Sequence, residues 1–181
     1  WVAGFSAVLL WSVIAPKDLF TWFLEVFPAL IGGVVLATTR RRFPLTPLLY
    51  GLILVHCWIL MVGGHYTYAE VPLFDWLRPV LGWDCNNYDK VGHFAQGFVP
   101  AVLAREILIR KQVVNGKGWL AFLAGCICLA FSAAYELLEW AVAELEGSSA
   151  DAFLGTQGYV WDTQSDMAWA LVGAVAALLL M

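Results

Sequence analysis

The sequence predicts an all-α fold, a polytopic bundle of about six transmembrane helices, and three observations carry that prediction. Of 181 residues, 61% are hydrophobic and 13% are charged, and a soluble domain usually carries about twice that share of charge. The mean hydropathy is +0.75. The apolar residues gather in long uncharged runs bounded by charge, Pro or Gly, which is how spans of about 20 residues are laid out.

Those runs lie near 1–15, 19–38, 45–64, 91–109, 119–143 and 160–181. The first breaks at Pro16 and has no basic start or small-residue cleavage site, so it reads as a first helix that is processed or incomplete at its start. The second carries Glu25 in "FLEVFP" and ends at Arg40, Arg41 and Arg42. The third holds His56 in "LILVHCWIL", where a neutral imidazole bonded to a neighbouring helix is the expected role. Segment 65–90 mixes aromatics, Pro and single charges. It is too polar to span and is expected to lie along the interface, where Trp and Tyr settle. The fourth run opens on "NNYDKVGHFAQGF", the fifth closes on "SAAYELLEWAVAE" and the sixth opens on "WDTQSDM". This length suffices for one bundle, so residues 1–181 read as a single transmembrane domain. Gly32, Gly33 and Gly97 are expected to permit close helix approach.

Lys and Arg stay on the cytoplasmic side during insertion. Of ten basic residues, Arg40, Arg41, Arg42, Arg105, Arg110, Lys111 and Lys117 fall on one side, and Lys17, Arg78 and Lys90 on the other. The turns after spans two and four are therefore expected to be cytoplasmic, with both termini on that side, in a multi-pass protein of the bacterial inner membrane. Thirteen of the fourteen acids then fall toward the outer side, Glu106 being the exception. The arginine run is a topology signal with no basic groove beside it, so nucleic acid is not an expected partner. Cys57, Cys85, Cys126 and Cys128 have no metal-framework spacing. The one close pair is C-x-C in an apolar helix, with side chains about 200° apart, and all four read as small hydrophobes.

The outer end is where polar chemistry gathers. Asp89, His93 and Gln96, spaced i, i+4, i+7, share one stripe at the start of span four. Tyr135, Glu136 and Glu139 lie one to two turns inside the end of span five, and Asp162 and Asp166 share a face at the start of span six. Span three ends with His65, Tyr66, Tyr68 and Glu70. Buried carboxylates are rare in a bilayer unless they pair, bind a metal or face water. Glu25 either joins this cluster or pairs with Lys17. The turn "EGSSADAFLGTQGY", with Asp151, Thr156 and Gln157, is either a lid over the cluster or a plain connection.

Three physical readings account for the cluster. The first is a divalent metal site, with His65, His93, Glu136, Glu139, Asp162 and Asp166 as candidate ligands. In the second, His93, Asp89 and Glu136 carry out acid/base catalysis on a lipid-linked or polar substrate. In the third, a satisfied hydrogen-bond network fixes the packing of the helix ends and no ligand is bound. No H-E-x-x-H or repeated E-x-x-H spacing is present, so the metal is not identified by motif.

Four stretches in order, "GGHYTYAEVPLFDW", "NNYDKVGHFAQGFVPAVLAREIL", "SAAYELLEW" and "ADAFLGTQGYVWDTQSDM", resemble the YjdF-like family of bacterial inner-membrane proteins over nearly the whole chain. More distantly, "DKVGHF" and "DTQSD" are similar to VanZ-like proteins, which are associated with glycopeptide resistance. "YELLEW" departs from the Glu-then-Gln arrangement of that group, and the basic residue expected before the final Asp pair is absent. The YjdF-like resemblance implies a multi-helix inner-membrane protein and supports a site at Asp89, His93, Glu136, Glu139, Asp162 and Asp166. The expected function is binding of a cation or polar lipid headgroup at a periplasm-facing site, with acid/base or metal-assisted chemistry. The alternative is a non-catalytic accessory subunit of a respiratory or photosynthetic complex, whose ten Trp and eleven Phe pack against lipid or other membrane subunits.

Overall fold

The computed structural model describes residues 1–146, 151–154 and 156–181, and among these every regular element is helical. In chain order they are α1 (Val2–Val13), α2 (Leu19–Thr39), α3 (Pro47–Tyr66), a 3-10 turn (Tyr68–Glu70), α4 (Pro72–Leu81), α5 (Tyr88–Arg110), α6 (Lys117–Glu146), α7 (Asp151–Leu154) and α8 (Asp162–Leu180). Capping chemistry sets several starts. Asp18 accepts from the Thr21 amide at 2.6 Å to open α2, and Thr46 with Pro47 opens α3. Gly82 closes α4 in the left-handed region at φ 68°, a conformation that glycine takes without steric cost.

Four helices are long and apolar enough to cross a membrane: Leu19–Thr39, Pro47–Tyr66, Lys117–Leu145 and Asp162–Leu180. The six expected spans thus divide by physical cause. α1 is apolar but only 12 residues long. α5 has 23 residues, but its ends carry Asp89, Lys90, Arg105, Glu106 and Arg110. Segment 65–90, expected to lie along the interface, holds α4, whose Leu73, Trp76 and Val80 form an exposed apolar stripe.

The centre of the bundle is the pair α5 and α8, which run parallel. A Cβ placed on Gly97 would overlap the Ala170 carbonyl, and one on Gly173 would overlap the Phe94 carbonyl. The expected close approach at Gly97 is therefore present, supported by Ala101, Ala104, Ala174 and Ala177, all buried. Small residues at this spacing let two backbones meet, which is how helices associate where lipid removes the hydrophobic drive. Leu49 of α3 and Cys128 of α6 pack on the far half of this seam. At Gly32 a Cβ would meet nothing within 4 Å, so that glycine marks no close contact.

Packing also sorts the loops by end. Arg110 donates to the Pro44 carbonyl at 2.6 Å, Arg105 to the Met181 carbonyl at 3.3 Å, and Trp1 to the Tyr50 carbonyl at 2.8 Å. The basic turns and both chain ends therefore share one end. At the other, Lys17 pairs with Glu70, and Asn86 binds Gln157 through two hydrogen bonds of 2.9 and 2.8 Å.

Candidate functional site

α5 and α8 both begin at the acidic end, so Asp89 and Asp162 occupy the first turns of two parallel helices, where exposed amides and the helix dipole favour negative charge. One turn deeper on each helix sit His93 and Asp166, which are 6% and 3% exposed. His93 Nε2 lies 3.3 Å from Asp89 Oδ1 and 3.9 Å from Asp166 Oδ2. Its Nδ1 is 2.8 Å from Gln96 Oε1, which accepts the ring proton, and 3.9 Å from Glu136 Oε1 across the bundle on α6. Glu136 is 6% exposed, and its Oε1 makes no hydrogen bond.

With Nδ1–H donated to Gln96, the lone-pair nitrogen of a neutral ring is Nε2. It faces two carboxylate oxygens. Like partners at this range repel unless a proton or a cation lies between them. One atom each from Asp89, His93 and Asp166 fall within 4.8 Å of one another, and ligands ~2.1 Å from one ion lie at most ~4.2 Å apart, so a small inward shift of these side chains would seat a metal. Gln96 would then act as the outer partner that fixes the tautomer of a ligating histidine.

These groups line a cavity of about 80 Å³. Its second wall comes from Glu25 and Pro28 of α2, His56 and Leu60 of α3, Tyr68, and Tyr135 and Glu139 of α6, with Phe153 and Leu154 of α7 adding apolar surface. Tyr68 lies in the 3-10 turn, and burial holds its phenol well above the usual range. Outside, a crevice of about 490 Å³ is lined by Asp84, Asn86, Lys90, Gln157, Asp162 and others, and Asp89 lines both spaces.

The expected site residues therefore separate. Asp89, His93, Glu136 and Asp166 converge, and Glu139 lines the same cavity. Asp162 does not reach inside and faces the outer crevice with Lys90. His65 stands apart: its Nδ1 contacts the Ser12 carbonyl at 3.0 Å, and its ring packs on Trp11 and Tyr66. Glu25 joins the cavity, accepting from Tyr135 Oη at 3.1 Å, because Lys17 is engaged by Glu70. His56 differs from expectation, since its buried Nε2 has no hydrogen-bond partner on a neighbouring helix. Of the turn read as a lid or a connection, residues 147–150 and 155 lie outside the described residues. Gln157 clasps Asn86 beside the crevice.

Two features escaped the sequence reading. Asn86, 1% exposed, ties Val71, Asp75 and Gln157 together. The partners lie up to 71 positions away, and no local signal announces them. Pro28 and Pro100 lie inside α2 and α5. A proline within a helix leaves the carbonyl four residues earlier without its usual donor, here Leu24 beside Glu25 and Gln96 itself. That spacing was visible in the sequence.

The family described as "Predicted membrane protein (DUF2238)" matches residues 1–181. The chain is 52% identical over 176 residues to the inner membrane protein YjdF of Escherichia coli (strain K12), covering 97% of this chain and 84% of that protein. No solved structure matches it. With its apolar helices, its Gly97 seam and its buried polar end, the chain belongs to the DUF2238 family of predicted membrane proteins.

Proposed function

We propose that this inner-membrane protein binds a divalent cation between α5 and α8, held by Asp89, His93 Nε2 and Asp166. The observation that supports this reading is the placement of a lone-pair nitrogen against two carboxylate oxygens, with Glu136 Oε1 left without a partner on the Nδ1 side of the same ring. A proton on the ring offsets one negative charge. A divalent ion offsets two and turns every repulsive contact into a bond. Imidazole with carboxylates suits Zn, Fe or Mn, and a water on such an ion becomes a nucleophile or base near neutral pH. In that chemistry Gln96 orients His93 through Nδ1, and Glu136, the unpartnered carboxylate on that side of the ring, is the group available to take a proton.

On this reading residues 1–181 form one membrane domain. α5 crosses with its charges at the two boundaries, α1 completes a set of six, and α4 lies in the interface through its apolar stripe. The basic end faces the cytoplasm with both termini, and the crevice opens to the periplasm. The accessory-subunit reading has no comparable support, because the exposed Phe27, Phe131, Trp140 and Val172 suit lipid contact as well as a partner.

Elemental analysis of protein purified without chelator tests the site. About one equivalent of a divalent metal is expected, lost in Asp89→Asn and reduced in Glu136→Gln while both variants remain monodisperse. A metal-free parent whose Glu136→Gln variant fails to fold would instead establish a purely structural network.

A further inference from the structure

A groove of about 510 Å³ runs along the flank of the bundle between α6 and α8, in the half nearer the basic end. Ala121, Gly125 and Leu129 line one wall, and Leu171, Val175 and Leu178 the other. A Cβ on Gly125 would meet nothing within 4 Å, whereas on Gly97 and Gly173 of the α5–α8 seam it would strike backbone. The floor of this groove is therefore open. From Ala121 to Leu129 it runs about 12 Å at helical rise, close to the ~15 Å of hydrocarbon in one leaflet. Its basic end is charged. Lys117 opens α6 and shares a helical face with Ala121 and Gly125, and Arg105 reaches the Met181 carbonyl at 3.3 Å, where α8 ends. Among the described residues the acid at this end is Glu106, which Arg110 and Thr46 hold, so neither Lys117 nor Arg105 is paired with a carboxylate there.

We propose that this groove holds one acyl chain of an anionic phospholipid, whose phosphate is bound by Lys117 and Arg105. An apolar groove by itself accepts any lipid chain, and the charge at its end selects the headgroup. The first amides of α6 have no intrahelical acceptor and favour the same negative charge. Trp119, exposed and set edge-on to Phe122 at the rim, belongs at headgroup level, where tryptophan settles. A zwitterionic lipid would bring its own cation against the two basic side chains. A second copy of the chain, related by a two-fold axis along the membrane normal, would set Lys117 and Arg105 at the level of their own counterparts, like charge against like. At the opposite end the cavity and the crevice are lined by carboxylates, which repel such a headgroup. No residue of the metal site takes part, so the inference stands apart from that reading.

Native mass spectrometry of the full chain, released from detergent containing equal amounts of dioleoyl phosphatidylglycerol and dioleoyl phosphatidylcholine, tests the site. One retained phosphatidylglycerol per chain is expected, preferred by about tenfold or more, the scale set by two basic residues at a headgroup. Lys117→Gln should cut that preference about fivefold, the share of one such residue. Gly125→Leu extends into space that is now open, so it should fold like the parent and lose the lipid. Glycerol phosphate carries the headgroup charge without a chain and should not be retained. Equal retention of the two lipids overturns the proposal, as does retention unchanged in Lys117→Gln or in folded Gly125→Leu, or binding of glycerol phosphate at the level of the lipid. A dimer that persists without lipid and dissociates in Gly125→Leu also overturns it and assigns the groove to a second copy. Should Gly125→Leu not fold, Lys117→Gln still decides, because that side chain is exposed.

Discussion

The two ends of α5 carry similar residues in opposite states. At the basic end Glu106 accepts from Arg110 at 2.7 Å and from the Thr46 hydroxyl at 2.9 Å. Arg110 also reaches the Pro44 carbonyl and lies 3.8 Å over the Phe43 ring. Glu106 and Arg110 are thus both partnered, and the network ties the turn before α3 to the end of α5. Some 17 residues earlier on α5, roughly 25 Å at helical rise, Asp89 shares His93 with Asp166 and Glu136, and two buried polar atoms, Glu136 Oε1 and His56 Nε2, bond to nothing. A closed network needs nothing more to be stable. An open one, more deeply buried in the same bundle, is either a cost to the fold or a place for a ligand.

The largest effect should come from severing the helix pair that holds both ends. Gly97→Leu places side-chain atoms where the Ala170 carbonyl lies, a clash with backbone that no rotamer relieves. Loss of monodisperse protein on size exclusion is expected, and a folded variant would show that the seam is looser than described.

Metal affinity comes next. Asp166→Asn should weaken binding by more than about a hundredfold, beyond the ten- to hundredfold of an outer partner, as read by competition with a chromophoric chelator. Gln96→Ala should fall within that outer-partner range.

The contrast is sharpest in stability without metal. Glu106→Gln should lower it by about 1–3 kcal/mol, since Arg110 and Thr46 lose a charged acceptor. Glu136→Gln should leave it unchanged or raise it, since an unpartnered carboxylate disappears. Equal losses at both ends, measured by unfolding in detergent, would erase the distinction. Smallest of all, Lys17→Met removes an ion pair in which both side chains are about half exposed, and the change should stay below about 1 kcal/mol.

Much of the site was legible because helical period converts spacing into faces. Asp89 with His93, and Asp162 with Asp166, are i, i+4 pairs, and both pairs lie at the end where α5 and α8 begin. What the period does not reveal is depth. Asp166 faces inward and Asp162 faces the crevice because the α5–α8 seam at Gly97 and Gly173 sets how the two helices meet. His65 was grouped with the cluster by its level in the membrane, yet the packing of α1 turns it onto Ser12 and Trp11. Glu25 had two admissible partners, and Glu70 resolved the choice by taking Lys17.

The sequence by itself determined the class of protein, its long apolar helices and the sorting of charge to two ends, because hydropathy and charge act over a few residues. Only the tertiary structure decided which carboxylates share one histidine and which atoms are left without partners. Those facts depend on how closely helices from distant parts of the chain approach, and here the backbone contacts at Gly97 and Gly173 govern that approach.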